Sequence, residues 1–215
     1  MRKTKFANGE FYHIYNRGTD KRAVFLDDTD FKRFLRCMSE FNTIEPIGSL
    51  YEHALNIHYG RRTSIHKNKL VNIICYCLNL NHYHFLFEQR VDGGISEFMK
   101  RLGGGYTKYF NSKYNRTGVL FQGKFKSRHI DSNKYLLHIG AYINLNNKAH
   151  KVDKDIFRSS MDEFLGKQKT ALCVPDIILK QFKNKKEFKE FADSSLVDII
   201  KRKGQQKEIA SLLLE

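Results

Sequence analysis

Two apolar segments separated by three residues constrain the fold more than any other feature of the sequence. Residues 71–78 are mostly apolar and partly β-branched, which is typical of a buried strand. Asn79-Leu80-Asn81 is suited to a turn, and a second apolar run occupies residues 82–89. Because so few residues separate the two runs, they are predicted to pair as a tight antiparallel hairpin.

The segments around this hairpin predict an α+β protein. Residues 9–17 suit a first strand, and the cap-rich Asp27–Asp30 leads into a helix with Phe31, Phe34, Leu35 and Met38 on one face. Residues 95–114 are predicted to be helical, residues 119–130 extended and residues 133–148 helical, with Asp131 and Ser132 as caps. This order of elements favours a largely antiparallel sheet with helices packed on it.

Three parts of the chain depart from these regular patterns. Residues 56–70 are polar and basic without a clear period, and we interpret them as a flexible loop. The triplet Gly103-Gly104-Gly105 predicts either a bend in its helix or the close approach of another backbone. Residues 151–215 are predicted to be an all-helical extension. The 215 residues are therefore divided into a domain at 1–150 and a C-terminal extension at 151–215.

The charge of the chain indicates a nucleic-acid partner. The formal net charge is +15, and residues 98–130 contain eight Lys or Arg residues but no Asp or Glu. Seven aromatic residues are interleaved with these cations. Cations bind backbone phosphate and aromatic rings stack on unpaired bases, although more than half of these rings are expected to be core residues. Our candidates for contact with the nucleic-acid backbone are Arg116, Lys124, Lys126 and Arg128.

His82 and His84 begin the second hairpin strand, two residues apart. Side chains alternate along a strand, so both imidazoles are predicted to lie on one face. On the helix at 133–148, Tyr142 and Asn146 are four residues apart and share a face. Two imidazoles, an amide oxygen and a phenol could therefore meet around one divalent metal ion. The alternative is that the histidines are ordinary strand residues and that Tyr142 is a core residue of its helix.

The four cysteines, Cys37, Cys75, Cys77 and Cys173, have no regular disulfide spacing. A zinc site shared by Cys75, Cys77 and the two histidines is disfavoured. In an unbroken strand these cysteines and histidines would face opposite ways, and a hairpin would still not supply the usual tetrahedral geometry. We interpret the cysteines as buried, free thiols of a cytoplasmic protein.

Neither a membrane span nor a signal core is evident in the sequence, so we expect a cytoplasmic, nucleoid-associated protein.

Several blocks, in order, resemble the single-tyrosine HUH transposases of bacterial insertion sequences, in particular the REP-associated tyrosine transposases. The resemblance covers most of residues 8–150. Residues 11–18 are similar to the first strand of that family, 75–86 to its histidine hairpin, 117–127 to its basic strand and 142–149 to its nucleophile helix. Two prolines usual in the family are replaced, by Leu80 before the first histidine and by Asn147 after Asn146.

The resemblance implies a ferredoxin-like domain that cleaves and rejoins single-stranded DNA, the DNA being one that forms a hairpin. It implies that His82 and His84 bind Mg²⁺ or Mn²⁺, with Asn146 as a third ligand, and that Tyr142 attacks phosphorus to give a 5′-phosphotyrosine link. Two rival functions remain open: a non-catalytic nucleic-acid-binding protein on the same scaffold, and a metal-dependent nuclease that uses water. The sequence does not decide between a monomer and a homodimer.

Overall fold

A computed structural model describes residues 4–60, 68–149, 157–168 and 172–212. Its centre is one antiparallel sheet of five strands in the order β4-β1-β3-β2-β5. The strands are β1 (Phe11–Arg17), β2 (Val71–Asn79), β3 (His82–Gln89), β4 (Lys126–Ile130) and β5 (Phe157–Ser159). The first four strands have the ferredoxin-like order, which confirms the predicted fold class, and β5 extends the sheet beyond β2.

Helices cover both faces of this sheet. In chain order they are α1 (Asp28–Glu40), α2 (Leu50–His58), α3 (Gly94–Lys113), α4 (Asn133–Asn144), α5 (Asn146–Ala149), α6 (Met161–Phe164), α7 (Asp176–Leu179) and α8 (Lys185–Leu212). Helices α1 and α3 pack together on one face, whereas α4 packs on β2 and β3 from the other and is itself covered by α8. Within the described residues, no helix is long and apolar enough to cross a membrane.

The alternation of side chains along the strands builds a separate apolar core on each face. Tyr12, Ile14, Phe85 and Phe87 join the core beneath α1 and α3. Leu86 joins the core beneath α4, together with Cys75 and Cys77. In β1, Phe11 packs against the core beneath α4, and the polar residues His13, Tyr15 and Arg17 follow it on the same face of the sheet.

The predicted hairpin is confirmed, with a turn of two residues. Asn79 pairs with His82 and Cys77 pairs with His84, so Leu80 and Asn81 form the turn. Because cross-strand partners share a face, the cysteines and the histidines lie on the same face of the sheet. The opposite orientation of cysteines and histidines that an unbroken strand would give therefore does not occur in the hairpin. The interpretation of the cysteines as free thiols is confirmed: Cys37, Cys75 and Cys77 are buried, and Cys173 is partly buried.

The predicted single helix at 133–148 is wrong, because it is divided at Leu145. Helix α4 ends at Asn144. The side-chain nitrogen of Asn144 donates to the Gly140 carbonyl, and its side-chain oxygen accepts from Ser160 Oγ at 2.7 Å. Asparagine side chains that bond to backbone groups compete with helical hydrogen bonds. The short helix α5 then begins at Asn146, which places Asn146 beneath the hairpin rather than on the outer surface of α4.

Three further expectations need correction. Helix α3 is continuous through the glycine triplet, and what approaches it closely is the ring of Phe41, next to Gly105. Of residues 119–130, only Lys126–Ile130 form a strand, with an isolated bridge at Phe121. Residues 56–58 end helix α2, so the predicted loop begins later than expected, and its residues 61–67 lie outside the described chain.

The C-terminal extension is not all-helical, because it contributes β5 to the sheet. Cys77, Leu78 and Asn79 of β2 pair with Ser159, Arg158 and Phe157. Phe164, Ile178 and Phe188 of the extension are fully buried in the same core as Ile139 and Ile143 of α4. The division of the chain into a domain at 1–150 and an extension at 151–215 remains a prediction.

Candidate functional site

The candidate site lies where three strands present polar side chains to the end of α4. Strand pairing aligns Arg17 with His82 and Tyr15 with His84, while Asn79 lies on the other side of His82. A cleft of about 510 Å³ opens here. Its lining consists of Tyr15, Asn16, Arg17, Lys21, Asn81, His82, His84, Gln122, Lys126 and Tyr142. The predicted placement of His82 and His84 on one face is confirmed by this register.

Hydrogen bonds with two asparagines orient the ring of His82, and a third asparagine lies close to it. Its Nδ1 lies 2.7 Å from Asn81 Oδ1, an oxygen that can only accept a hydrogen bond, so Nδ1 carries the proton. Its Nε2 lies 3.0 Å from Asn79 Nδ2, which donates to it. The unprotonated Nε2 is also 3.2 Å from Asn146 Oδ1. A neutral imidazole with this tautomer is the form that binds a metal ion.

His84 is held by stacked aromatic rings and by a second histidine. Its Nδ1 lies 2.8 Å from Nε2 of His13, a neighbour in the sheet that is almost fully buried. The ring of Tyr15 stacks on the imidazoles of His13 and His84. The rings of His82 and His84 meet edge to face with centroids 5.2 Å apart. Burial, assisted by the positive charge of Arg128, lowers the pKa of His13 to about 4, so His13 is neutral at pH 7.

Tyr142 reaches the histidines from helix α4. Its ring meets the ring of His84 edge to face, with centroids 5.7 Å apart, and it is half-buried. Burial raises the pKa of the Tyr142 phenol, and a hydrogen bond with the Asn146 side chain partly opposes this shift. The surrounding protein groups therefore favour the neutral phenol, and a nucleophilic role requires added positive charge near the oxygen.

The donor atoms present fit a divalent cation. His82 Nε2 and Asn146 Oδ1 are 3.2 Å apart, close to the separation of about 3 Å between neighbouring ligands of an octahedral ion with bonds of about 2.1 Å. Asn79 Nδ2 donates to Asn146 Oδ1 at 2.8 Å and so fixes the position of that oxygen. Within the described residues no group of three or more His, Cys, Asp or Glu side chains surrounds a common point, so the fit depends on the amide.

The four predicted DNA-contacting cations are divided between two places. Lys126 lines the cleft, and Arg128 is paired with His13 on the same face of the sheet, with its guanidinium over the Tyr135 ring. Lys124 instead lines a groove beside α3, and Arg116 packs over Phe110 and donates to Asn111 Oδ1. The structure therefore brings two of the four cations to the histidine face.

The aromatic residues of the acid-free segment serve the core. Phe98, Tyr106, Phe110 and Phe121 are buried, and the remaining three, Tyr109, Tyr114 and Phe125, pack against the same cluster. The hydroxyls of Tyr109 and Tyr114 donate to the buried carboxylate of Asp30, and that of Tyr106 donates to the Val24 carbonyl. These contacts explain the aromatic content of the segment by packing rather than by base stacking.

Three residues of the site were missed by the sequence interpretation: His13, Tyr15 and Asn79. His13, Tyr15 and Arg17 alternate along the predicted first strand, and this period could have marked a polar face. Asn79 was assigned to the turn, although it is the last residue of β2 and is fully buried. Its contact with Asn146 depends on long-range packing that no local pattern reveals.

Comparison with known proteins supports the resemblance. A family model described as "Transposase IS200 like" matches residues 56–146, which include the hairpin, both histidines and Tyr142. A solved structure of a REP-associated tyrosine transposase bound to a REP hairpin shares the fold, with a TM-score of 0.53 and 13% sequence identity. The alignment covers 81% of this chain and 90% of that one. A search of curated proteins gave no match. The resemblance to tyrosine transposases is thereby confirmed.

Proposed function

From the match of residues 56–146 to IS200-like transposases, we propose that this protein cleaves and rejoins single-stranded DNA through Tyr142. The observation that carries the proposal is the meeting of Tyr142, His84 and His82 at one cleft. Three phenols of the acid-free segment hydrogen-bond on the opposite side of the sheet: Tyr106, Tyr109 and Tyr114. Tyr142 and Tyr15 are both phenols beside the candidate metal ligands. We choose Tyr142 because it hydrogen-bonds with the Asn146 side chain and lies within the matched residues 56–146.

We assign His82, His84 and Asn146 as the ligands of Mg²⁺ or Mn²⁺. Two imidazole nitrogens make Mn²⁺ the better fit, because Mg²⁺ prefers oxygen. A divalent ion held there would neutralise charge on the scissile phosphate in the transition state. The residues themselves fix the ligand atoms: Asn81 sets the tautomer of His82, and Asn79 holds the Asn146 oxygen. A bound ion would replace the hydrogen bond that Asn79 donates to His82 Nε2.

The reaction exchanges one phosphoester bond for another. The Tyr142 oxygen forms a bond to phosphorus and loses its proton, while the bond from phosphorus to the 3′ oxygen breaks and that oxygen gains a proton. The products are a 5′-phosphotyrosine link and a free 3′-hydroxyl. Because the link conserves the energy of the phosphodiester, a 3′-hydroxyl can reverse the step and rejoin DNA without a nucleotide cofactor. Lys126, which lines the cleft, supplies positive charge for the phosphate backbone.

The proposed DNA is single-stranded at the cleavage point and carries a hairpin nearby. The hairpin is proposed by analogy with the REP-associated transposase, whose structure contains a bound REP hairpin. An unpaired strand allows its phosphate to reach the half-buried phenol of Tyr142. The active form is proposed to be a monomer or a homodimer of this chain.

A covalent adduct with DNA tests the proposal. Tyr142→Phe removes only the hydroxyl, so packing in the α4 core should persist, and we expect complete loss of the protein–DNA adduct on a denaturing gel. Single-strand binding should remain near that of the unchanged protein. The matched control is Tyr15→Phe, because Tyr15 is the other phenol lining the same cleft. This control should still form the adduct.

Other outcomes would favour the rival functions. Adduct formation by Tyr142→Phe, together with its loss in Tyr15→Phe, would show that the assignment of the nucleophile is wrong. DNA cleavage with no adduct in any variant would indicate a nuclease that uses water. Binding without metal-dependent cleavage would indicate a non-catalytic DNA-binding protein.

A further inference from the structure

His13 contacts one of the candidate histidine ligands, His84, from outside the hairpin. It lies on β1 and is 8% exposed, and its Nε2 is 2.8 Å from His84 Nδ1. A contact this short between two ring nitrogens is a hydrogen bond, with one nitrogen donating and the other accepting. The planes of the His13 and His84 rings differ by 20° and their centroids are 5.1 Å apart, so the rings lie nearly parallel, as an in-plane contact between the two nitrogens requires.

The direction of this hydrogen bond decides whether His84 can bind a metal ion. A neutral imidazole carries one proton. If His13 donates, the proton of His84 is on Nε2, and that nitrogen has no lone pair for a metal ion. If His84 donates from Nδ1, its Nε2 carries the lone pair. His84 Nδ1 itself is occupied by His13 in either case.

The two candidate ligands are oriented by chemically different partners. The partner of His82 Nδ1 is Asn81 Oδ1, which can only accept, so this tautomer of His82 is imposed. The partner of His84 Nδ1 is an imidazole nitrogen, which can donate or accept. We propose that His13 is a positioning residue that accepts the Nδ1 proton of His84 and so presents the unprotonated Nε2 of His84 to a divalent cation. This inference rests on the proposed function.

Metal affinity in variants of His13 tests the inference without measuring cleavage. His13→Leu removes the acceptor and should weaken Mn²⁺ binding about 10- to 100-fold, as is typical when a partner of a metal-binding histidine is lost. His13→Gln places an amide near the former Nε2 and should restore most of the affinity. The control is His129→Leu, since His129 is aligned with Tyr12 on the other face of the sheet. Binding is measured by titration of free Mn²⁺ with electron paramagnetic resonance.

Nitrogen NMR of the unchanged, metal-free protein supplies a test that does not depend on the folding of any variant. We expect the ¹⁵N shifts of His84 to show a proton on Nδ1. A proton on Nε2 would overturn the inference, as would equal Mn²⁺ affinity in a folded His13→Leu variant. A different result would overturn the metal site itself: no Mn²⁺ binding by the unchanged protein, or unchanged binding after both His82 and His84 are replaced by Ala.

Discussion

The candidate metal ligands are neutral side chains. Two imidazoles and one amide oxygen carry no negative charge, and neither Asp nor Glu is among the described residues that line the cleft. A divalent ion held by neutral ligands keeps its full charge, which a phosphate oxygen of bound DNA can then compensate. We therefore expect binding of the metal ion and of DNA to strengthen each other, because each supplies charge that the other lacks.

Gly105 has a packing role that its two glycine neighbours do not share. A Cβ atom at Gly105 would lie 2.5 Å from Phe41 Cε2, whereas one at Gly103 or Gly104 would meet nothing within 4 Å. Gly105→Ala should therefore destabilise the protein by about 1–3 kcal/mol through overpacking against the buried Phe41 ring. Gly104→Ala should stabilise it by up to about 1 kcal/mol, because alanine favours the helix.

Denaturant unfolding of the two variants measures both effects. Gly103→Ala is the second control, since that position is also open within the same helix. Equal changes in the free energy of unfolding at positions 104 and 105 would show that Phe41 can move aside without cost. Stabilisation at Gly105 alone would contradict the packing argument directly.

The roles of single residues were predictable only where a local pattern carried them. The alternation in β3 was sufficient to place His82 and His84 on one face, and this is confirmed. The four-residue spacing correctly predicted that the Tyr142 and Asn146 side chains meet, although the helix is divided at Leu145 between them. Asn79 and His13 depend on contacts between residues that are 67 and 71 positions apart in the sequence, which local periodicity cannot reveal.

Among the elements, β4 joins the basic segment to the candidate site. Lys126 and Arg128 alternate with Ser127, so both cations share the histidine face of the sheet. Lys126→Ala and Arg128→Ala should each weaken single-strand binding and reduce the slope of log affinity against log salt concentration by about 0.7, the value for one phosphate contact. Binding is measured at several salt concentrations.

Two further lysine variants make this salt test specific. Lys186 on α8 is highly exposed and pairs with Glu190, so Lys186→Ala should leave the slope unchanged. Lys124 lines the groove beside α3, outside the cleft. A reduced slope for Lys124→Ala as well would show that DNA also contacts that groove. No change for either β4 variant would show that the DNA path avoids β4.

Secondary structure was predicted best where hydrophobic periodicity and capping agreed. Helix α1 begins after Asp27, whose side chain accepts from the Asp30 amide, as its cap-rich sequence indicated. The extended segment 119–130 was overestimated, because Leu120, Phe121 and Phe125 pack against the core from outside any named strand. Strand β5 has only three residues, and its pairing with β2 depends on the fold already formed around it.

At the scale of the whole molecule, the C-terminal extension completes the second core. Phe188 of α8 is fully buried, with ring centroids 5.0 Å from Phe164 and 5.4 Å from Phe182. Phe188→Ala should lower the free energy of unfolding by about 3–5 kcal/mol. Because this core also contains Leu86 of β3, faster hydrogen exchange should extend to the amides of β3.

Val197→Ala is the control for this prediction, because Val197 lies on the same helix but is 65% exposed. Its effect should stay within about 0.5 kcal/mol. If Phe188→Ala accelerated exchange in α8 while β3 stayed unaffected, the extension would unfold as an independent unit. That result would favour the predicted division at residue 150 over cooperative folding of both parts.

The two outer strands of the sheet determine how the protein behaves when it is concentrated. An outer strand exposes unpaired backbone groups to which another chain can add. On one side β5 offers only Phe157–Ser159, too short a template for stable addition. On the other side β4 carries Lys126 and Arg128, whose charges repel an identical strand. Both edges therefore disfavour the addition of a strand from another copy of this chain to the sheet.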